Sequence, residues 1–381
     1  MKASLYIHIP FCFVKCDYCN FYSVPLSKFD PKIIGPFLLH LFDDIQIQIN
    51  KFNVTEIITI YIGGGSPSIL GIEYFEKLLN FLKSIIPNNP QEFTVELNPE
   101  FTSVEFLLLC KQFNVNRMSI GVQSFNSKSR QAIGRICSSD KIDASLKLLS
   151  NLYCDSYSAD LISGLPHQDL LSDIKILTQY KPAHISLYDL TVEENTPLYK
   201  KINLNKINLP TPEFAEEAWI QGRDLLENLE FKQYEVSNFC KPNGQSVHNI
   251  RYWRMENWIA AGPSSSATII DDQNAIGKRY TTQSDIQNYL QNRKTNYIIE
   301  ELTKETLIKE SLLMGFRYIK GPCKKLFFKR FGINITDLIP KTIKSWKDNE
   351  LMQEKELALT KDGLLLLNSF LADCFLEIES K

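Results

Sequence analysis

Leu5-Tyr6-Ile7-His8-Ile9-Pro10-Phe11-Cys12-Phe13-Val14-Lys15-Cys16-Asp17-Tyr18-Cys19 joins an apolar run to three cysteines spaced Cys-x3-Cys-x2-Cys. The run reads as a buried strand, which would deliver the thiols to the end of a sheet. Three thiols on so short a loop can converge on one centre. A disulfide between two of them is disfavoured. Met1-Lys2-Ala3-Ser4 leads into a strand-like run and not into a signal peptide, so a cytoplasmic protein with reduced thiols is expected. Structural zinc held by the three cysteines and His8 competes with an iron-sulfur cluster. Zinc sites usually carry a second cysteine pair well downstream, whereas a packed run resembles iron-sulfur ligation. Spacing leaves both open and favours the cluster.

The chain has 381 residues, 44% of them apolar, which suffices for a large domain with an appendage or for two domains. Lys plus Arg number 42 against 44 Asp plus Glu, so no global charge draws the protein to nucleic acid or to anionic membranes. The apolar stretch from Gly363 to Phe375 is too short to span a bilayer. Cys110, Cys137, Cys154, Cys240, Cys323 and Cys374 are scattered singly and read as small buried hydrophobes.

Helical spacing of Ile34, Phe37, Leu38, Leu41, Phe42 and Ile45 predicts a helix from Asp30-Pro31 to about Lys51. Glu56 to Ile62 reads as a strand that stops at Gly63-Gly64-Gly65-Ser66-Pro67. The alternation continues with strands at Phe93 to Leu97, Arg117 to Val122, Tyr157 to Ile162 and Ala183 to Leu190, each followed by helical or polar sequence. Six βα units predict an α/β fold with a parallel sheet, as a partial TIM-like (β/α)6 barrel. A helix from Thr211 to Glu227 and a short strand at Gln233 to Ser237 follow, then an irregular stretch around His248 to Trp253. After Glu300 helices and a short strand pair near Leu357 to Thr360 suggest a smaller winged-helix-like module. Residues 300–381 carry 14 Lys plus Arg against 13 Asp plus Glu, which argues for a solvated face over DNA binding. The expected division is residues 1–240, a connecting region 241–299, and a mainly helical domain 300–381.

In a barrel, chemistry sits where strands end. Cys12, Cys16 and Cys19 follow the first strand, and Gly63 to Ser66 follow the second. Glu96 and Asn98 end the third, Gln123 the fourth, and Asp160 and Gly164 lie near the end of the fifth. A carboxylate in an apolar strand must be paired or face a ligand. For Glu96 an ion pair with Arg117 or another barrel arginine is the competing reading. The glycine run is neither a dinucleotide fingerprint nor a phosphate loop, and reads as a ligand-facing rim or a plain turn. His248 among aromatics could be an axial ligand beside a flat apolar pocket, or a histidine bonded within packed loop structure.

With these residues in view, the chain resembles the radical S-adenosylmethionine (SAM) superfamily, and within it the HemW-type heme chaperones, relatives of oxygen-independent coproporphyrinogen III oxidase. The likeness runs through YIHIPFC from Tyr6, GGGSPS from Gly63, TVELNPE from Thr94, SIGVQSFN from Ser119, DLISGLPHQ from Asp160, HISLYDLT from His184, YEVSNF from Tyr234, HNIRYW from His248 and LMGFR from Leu313. It implies that Cys12, Cys16 and Cys19 hold three irons of a 4Fe-4S cluster and leave the fourth to SAM, whose cleavage in the family gives a 5'-deoxyadenosyl radical. It also implies SAM contacts from Tyr6, Tyr18, Gly63, Gly64, Gly65, Ser66, Glu96, Gln123, Arg135 and Asp160. Glu96 and Asp160 would meet the ammonium and ribose hydroxyls, and Arg135 the methionine carboxylate.

Departures separate the two relatives. The oxidase has a fourth cysteine where Phe21 stands, and an extension ahead of the first strand. Both differences favour a heme chaperone. The HNxxYW pattern makes His248 the expected heme ligand. Ser66 replaces the more usual threonine, and Gly262-Pro263-Ser264-Ser265-Ser266-Ala267 stands where GPGAHS is common, so a histidine is missing. The resemblance implies heme, an electron donor for the cluster and heme-accepting respiratory enzymes at the membrane as partners. It leaves a homodimer and the oxidase activity as open alternatives.

Overall fold

The computed structural model describes residues 1–291 and 296–380. Six strands run parallel and side by side in chain order: β1 (Lys2–Ile9), β2 (Glu56–Gly64), β3 (Glu92–Leu97), β4 (Arg117–Gln123), β5 (Tyr157–Ser163) and β6 (His184–Asp189). Each of the first five returns to the next through a crossover containing helix, which is why parallel neighbours can follow one another. The helices Ile34–Lys51, Gly71–Ile85, Val104–Gln112, Ser139–Leu152 and Leu170–Thr178 cover one face. Leu5, Ile7, Ile9, Ile60, Ile62, Val95, Met118, Ile120, Val122, Leu161, Ile185 and Leu187 join Phe37, Leu41, Phe75, Leu78 and Leu146 of those helices in one apolar core. The fold is thus α/β with a parallel sheet, as the alternation predicts.

The sheet does not stop at six strands. β7 (Lys232–Gln233) and β8 (Asn238–Cys240) add antiparallel strands beyond β6. Beyond β1 lie β9 (Trp258–Ala261), β10 (Ser266–Asp271), β11 (Ile276–Thr282) and β12 (Tyr297–Leu302), β9 being parallel to β1. Twelve strands result among the described residues, in the order β12-β11-β10-β9-β1-β2-β3-β4-β5-β6-β8-β7. The stretch expected to connect therefore contributes strands to the sheet.

Four local expectations need correction. Of the scattered cysteines only Cys110, Cys240 and Cys374 are buried, whereas Cys137 is half-buried and Cys154 and Cys323 are exposed. Gln233 to Ser237 is not one strand: buried Glu235 accepts from the Ser237 amide and from Asn238 Nδ2, and bends the chain between β7 and β8. His248 to Trp253 is not irregular but a helix, Val247–Trp253, whose first turn is held by the Ser246 hydroxyl and the Glu92 carboxylate. Seven residues are too few to show a helical period. Near the C-terminus the expected strand pair is a single bridge between Met352 and Leu359. The helices from Lys304 onward pack a second apolar cluster, with Leu312, Phe316, Phe331, Trp346 and Phe370 at its centre.

One buried carboxylate ties the sheet extension to the barrel. Asp44, on the helix Ile34–Lys51, accepts from the Gly262 amide at 3.0 Å, Tyr289 Oη at 2.9 Å and Tyr297 Oη at 2.7 Å. Asp44→Ala leaves two buried donors and a half-buried one without this acceptor and is expected to cost about 3 kcal/mol. Urea unfolding checks it, and a loss below about 1 kcal/mol would sink the assignment.

Candidate functional site

The cysteine loop is positioned by backbone pairing that outlasts the strands. Gly65 N donates to Ile9 O and Ser66 N to Phe11 O, both at 2.8 Å, so the turn after β2 grips the chain on both sides of Pro10. A Cβ at Gly65 would run into the Phe11 carbonyl, and one at Gly63 would stand 2.7 Å from the Glu96 carboxyl. These glycines first serve close packing against the chain itself. Phe11–Cys12 then bridges to Val24–Pro25, which closes the loop that carries Cys16 and Cys19.

Cys12, Cys16 and Cys19 are all free thiols and line one cavity of about 650 Å³ at the strand ends. The same cavity is lined by Tyr18, Gly64, Gly65, Ser66, Glu96, Gln123, Arg135 and Asp160. Eleven of the expected site residues thus meet. Tyr6, Gly63 and His248 do not line it. Tyr6 Oη lies 3.0 Å from His8 Nδ1, and His8 Nε2 lies 2.8 Å from the Tyr22 carbonyl. A carbonyl only accepts, so Nε2 carries the proton and Nδ1 accepts from Tyr6. Both imidazole nitrogens are engaged, and burial lowers the pKa of His8 to about 4. This bonding argues against the Cys3His zinc reading.

Glu96 does not pair with Arg117. Its Oε1 accepts from Tyr61 Oη at 2.7 Å and its Oε2 from the Gly64 amide at 3.0 Å, while Arg117 Nη1 donates to the Gly244 carbonyl. Burial, offset only in part by those two bonds, raises Glu96 to about 7. Burial likewise raises Asp160 to about 6, against hydrogen bonds from Ser186 and Ser119. Arg135 Nη2 donates to the Gly121 carbonyl at 2.6 Å, and its Nη1 lies 3.8 Å from Cys16 Sγ. Burial pushes the Cys12 thiol up to about 11 and the Cys19 thiol in the same direction, so a bound cation is needed to hold them as thiolates at neutral pH.

Gln123 ends β4 with φ +69°, a conformation that strains a residue with a side chain. The β4–β5 register slips between Gly121 and Gln123, and this bulge turns the glutamine into the cavity. A Cβ at Gly121 would lie 2.6 Å from Gln123 Nε2 and 3.2 Å from Arg135 Nη2. Gly121 is therefore a site residue that motif reading missed. So are Thr94, Arg117, Ser119, Ser158, His184 and Ser186, which line the cavity lower in the barrel. Their signal was the period of two: Arg117, Ser119, Gly121 and Gln123 alternate with the buried Met118, Ile120 and Val122.

His248 lies behind the cavity wall, 1% exposed. Its Nδ1 is 2.8 Å from Thr59 Oγ1 and its Nε2 is 2.9 Å from Tyr252 Oη. Burial lowers its pKa to about 3, which keeps the neutral form that ligates metals. An iron at either nitrogen must displace a hydroxyl. Its neighbours Ser246 and Asn249 do line the cavity. In the GPSSSA segment, Ser264 takes φ +66°, the region that favours the glycine common in the resembling family.

The donor set fits a cluster with SAM. Three thiols supply three iron ligands, Glu96 and Asp160 offer acceptors, and Arg135 offers a guanidinium. Ser66 Oγ is buried on the cavity wall with no partner among the described residues, as expected where a ligand supplies one.

Comparison with known proteins agrees. The Radical SAM superfamily profile matches residues 6–180. The heme chaperone HemW of Buchnera aphidicola from Acyrthosiphon pisum is 35% identical over 97% of both chains. The proteins of that name from Escherichia coli (31%, 97% of both) and Bacillus subtilis (30%, 96% of this chain and 97% of that one) are also similar. Among solved structures, coproporphyrinogen III oxidase (HemN) from Escherichia coli, described as a radical SAM enzyme, superposes with a TM-score of 0.82 at 19% identity, covering 98% of this chain and 90% of that one. The fold is shared with the oxidase, and the chain belongs to the radical SAM superfamily, in the family of the HemW heme chaperones.

Proposed function

We propose that this protein is a heme chaperone that carries a 4Fe-4S cluster on Cys12, Cys16 and Cys19, binds SAM, and hands heme to respiratory enzymes at the membrane. The observation that carries this reading is the gathering of the three thiols, Arg135, Glu96 and Asp160 around one cavity. When bound and reduced, such a cluster supplies an electron to the sulfonium of SAM. The chain's own part is positioning. Glu96, oriented by Tyr61 and the Gly64 amide, accepts from the SAM ammonium; Arg135, oriented by the Gly121 carbonyl, pairs with the methionine carboxylate. Tyr18 and Gln123 close the wall around the ligand.

Phe21 supports the chaperone over the oxidase. It stands 69% exposed at the cavity rim, where the oxidase would place a further thiol. Phe13 and Val14 are exposed on the same loop and give the mouth an apolar edge suited to a flat macrocycle. We place the protein in the cytoplasm with an external electron donor and no nucleic-acid partner. No helix of the described residues is long and apolar enough to cross a membrane.

Anaerobic purification with iron, sulfide and heme measured on one sample tests the reading. About four irons and four sulfides per chain are expected, with Cys16→Ser losing most of both. Zinc in their place would overturn the cluster, and conversion of coproporphyrinogen III with SAM and reductant would overturn the chaperone. SAM affinity should fall as pH drops from 8 to 6, because a Glu96 raised to about 7 loses its charge there. Glu96→Gln should bind SAM about tenfold more weakly and with a shallower pH dependence, the remainder coming from Asp160. Equilibrium binding at several pH values decides it, a parallel pH slope in both proteins being the contrary result. For heme, His248→Ala should weaken the Soret band, whereas Tyr252→Phe, which frees Nε2, should preserve or strengthen it. An unchanged band in His248→Ala removes that ligand.

A further inference from the structure

The barrel floor holds two donors that neither the cluster nor the assigned SAM contacts use. Arg117 begins β4 and His184 begins β6, so both lie at the strand ends opposite the cysteine loop. They line the same cavity as the cysteines and are 7% and 2% exposed. Arg117 spends Nη1 on the Gly244 carbonyl at 3.0 Å, but its Nη2 is buried with no partner among the described residues. His184 Nε2 lies 2.8 Å from Tyr234 Oη, and that hydroxyl oxygen already accepts from the Ser246 amide. Among the described residues Nε2 is the one acceptor within reach of the tyrosine proton, so Tyr234 donates to Nε2 and the imidazole proton sits on Nδ1. Nδ1 is also buried and without a partner. The ring is neutral, since burial and the nearby Arg117 both oppose a second proton.

Two buried donors, one on a permanent cation, therefore belong to residues that line the cavity and have no acceptor among the described residues. Leaving both unsatisfied is costly. The neighbouring hydroxyls are already engaged, Thr94 with Glu92 and Ser158 with Met118 and Ser119, which leaves Arg117 Nη2 and His184 Nδ1 as the two donors in question. The carboxylate one layer above, Asp160, is bonded to Ser186 and Ser119. We propose that Arg117 and His184 form an anion subsite at the floor of the barrel, built to take a carboxylate. Arg117 supplies the charge and His184 Nδ1 a directed hydrogen bond. The subsite is separate from Arg135, so a carboxylate can occupy it while SAM is held at the cluster end. Its occupant is either a propionate arm of a tetrapyrrole, which rests on the heme reading above, or a free small carboxylate.

The test uses full-length protein purified anaerobically. Sodium propionate, compared with sodium chloride at equal ionic strength, should raise the thermal midpoint of the wild type by roughly 2 °C near saturation and leave Arg117→Gln and His184→Gln unmoved. Heme and heme dimethyl ester are titrated in parallel. A wild-type preference for heme of about tenfold that vanishes in Arg117→Gln assigns the subsite to the propionate arm. Equal affinities together with the propionate effect assign it to a free carboxylate. If neither tetrapyrrole binds the wild type, the heme reading fails while the propionate comparison still reads the subsite. Propionate acting no differently from chloride on the wild type, together with equal heme and ester affinities, overturns the proposal. So does a loss of SAM affinity in Arg117→Gln that accounts for the whole effect. The wild-type comparisons stand even where a variant fails to fold.

Discussion

Two backbone hydrogen bonds, Gly65 to Ile9 and Ser66 to Phe11, hold the turn after β2 against the chain that leaves β1. They work only because Gly65 has no side chain, since a Cβ there would collide with the Phe11 carbonyl. Through this contact the cysteine loop is fixed to the sheet and not left to swing at its end. The same turn places the Gly64 amide on Glu96, so the loop that holds the thiols and the carboxylate facing them share one rigid element. Preorganisation of this kind spares a ligand the cost of ordering its own site.

The interior of the sheet follows a different logic from its exterior. Outward residues of β1 to β6 are Leu, Ile, Val and Met packed under helices, whereas inward residues are Tyr, Thr, Glu, Arg, Ser, Asp and His. Burying such groups without ligand is expensive unless each is bonded. Most are: Glu96 to Tyr61 and Gly64, Arg135 to Gly121, Arg117 to Gly244, His8 to Tyr6 and Tyr22. Among the atoms left without a partner in the described residues are Ser66 Oγ at one end and Arg117 Nη2 and His184 Nδ1 at the other, on which the proposed ligand contacts rest. Raised carboxylate pKa values at Glu96 and Asp160 have the same origin, since burial weakens the charged form until a cation arrives.

Much of this was legible along the chain. Alternating apolar strands and amphipathic helices announced a parallel α/β sheet, and polar residues at strand ends announced its working edge. Eleven of the expected site residues line one cavity. Reading failed where a signal was short or non-local. The helix Val247–Trp253 has seven residues and owes its start to Glu92, which is remote in sequence. The bend at Glu235 depends on a buried carboxylate bonding Ser237 and Asn238, which no propensity records. Nothing local marks Gly121, whose missing side chain leaves the space that Gln123 and Arg135 occupy.

Residue order alone sets the periodicities, and with them the strands, the crossover helices and the Cys-x3-Cys-x2-Cys loop, because these depend on neighbours along the chain. It also carried the resemblance that names the family. Folding in three dimensions is what pairs β9 with β1 and draws the sheet onward, bonds Glu96 to Tyr61 rather than Arg117, and sets His248 behind the cavity wall with Thr59 on its Nδ1. Each of these is a contact between groups far apart in sequence, set by which partner reaches a buried polar atom first, and local pattern holds no record of that distance.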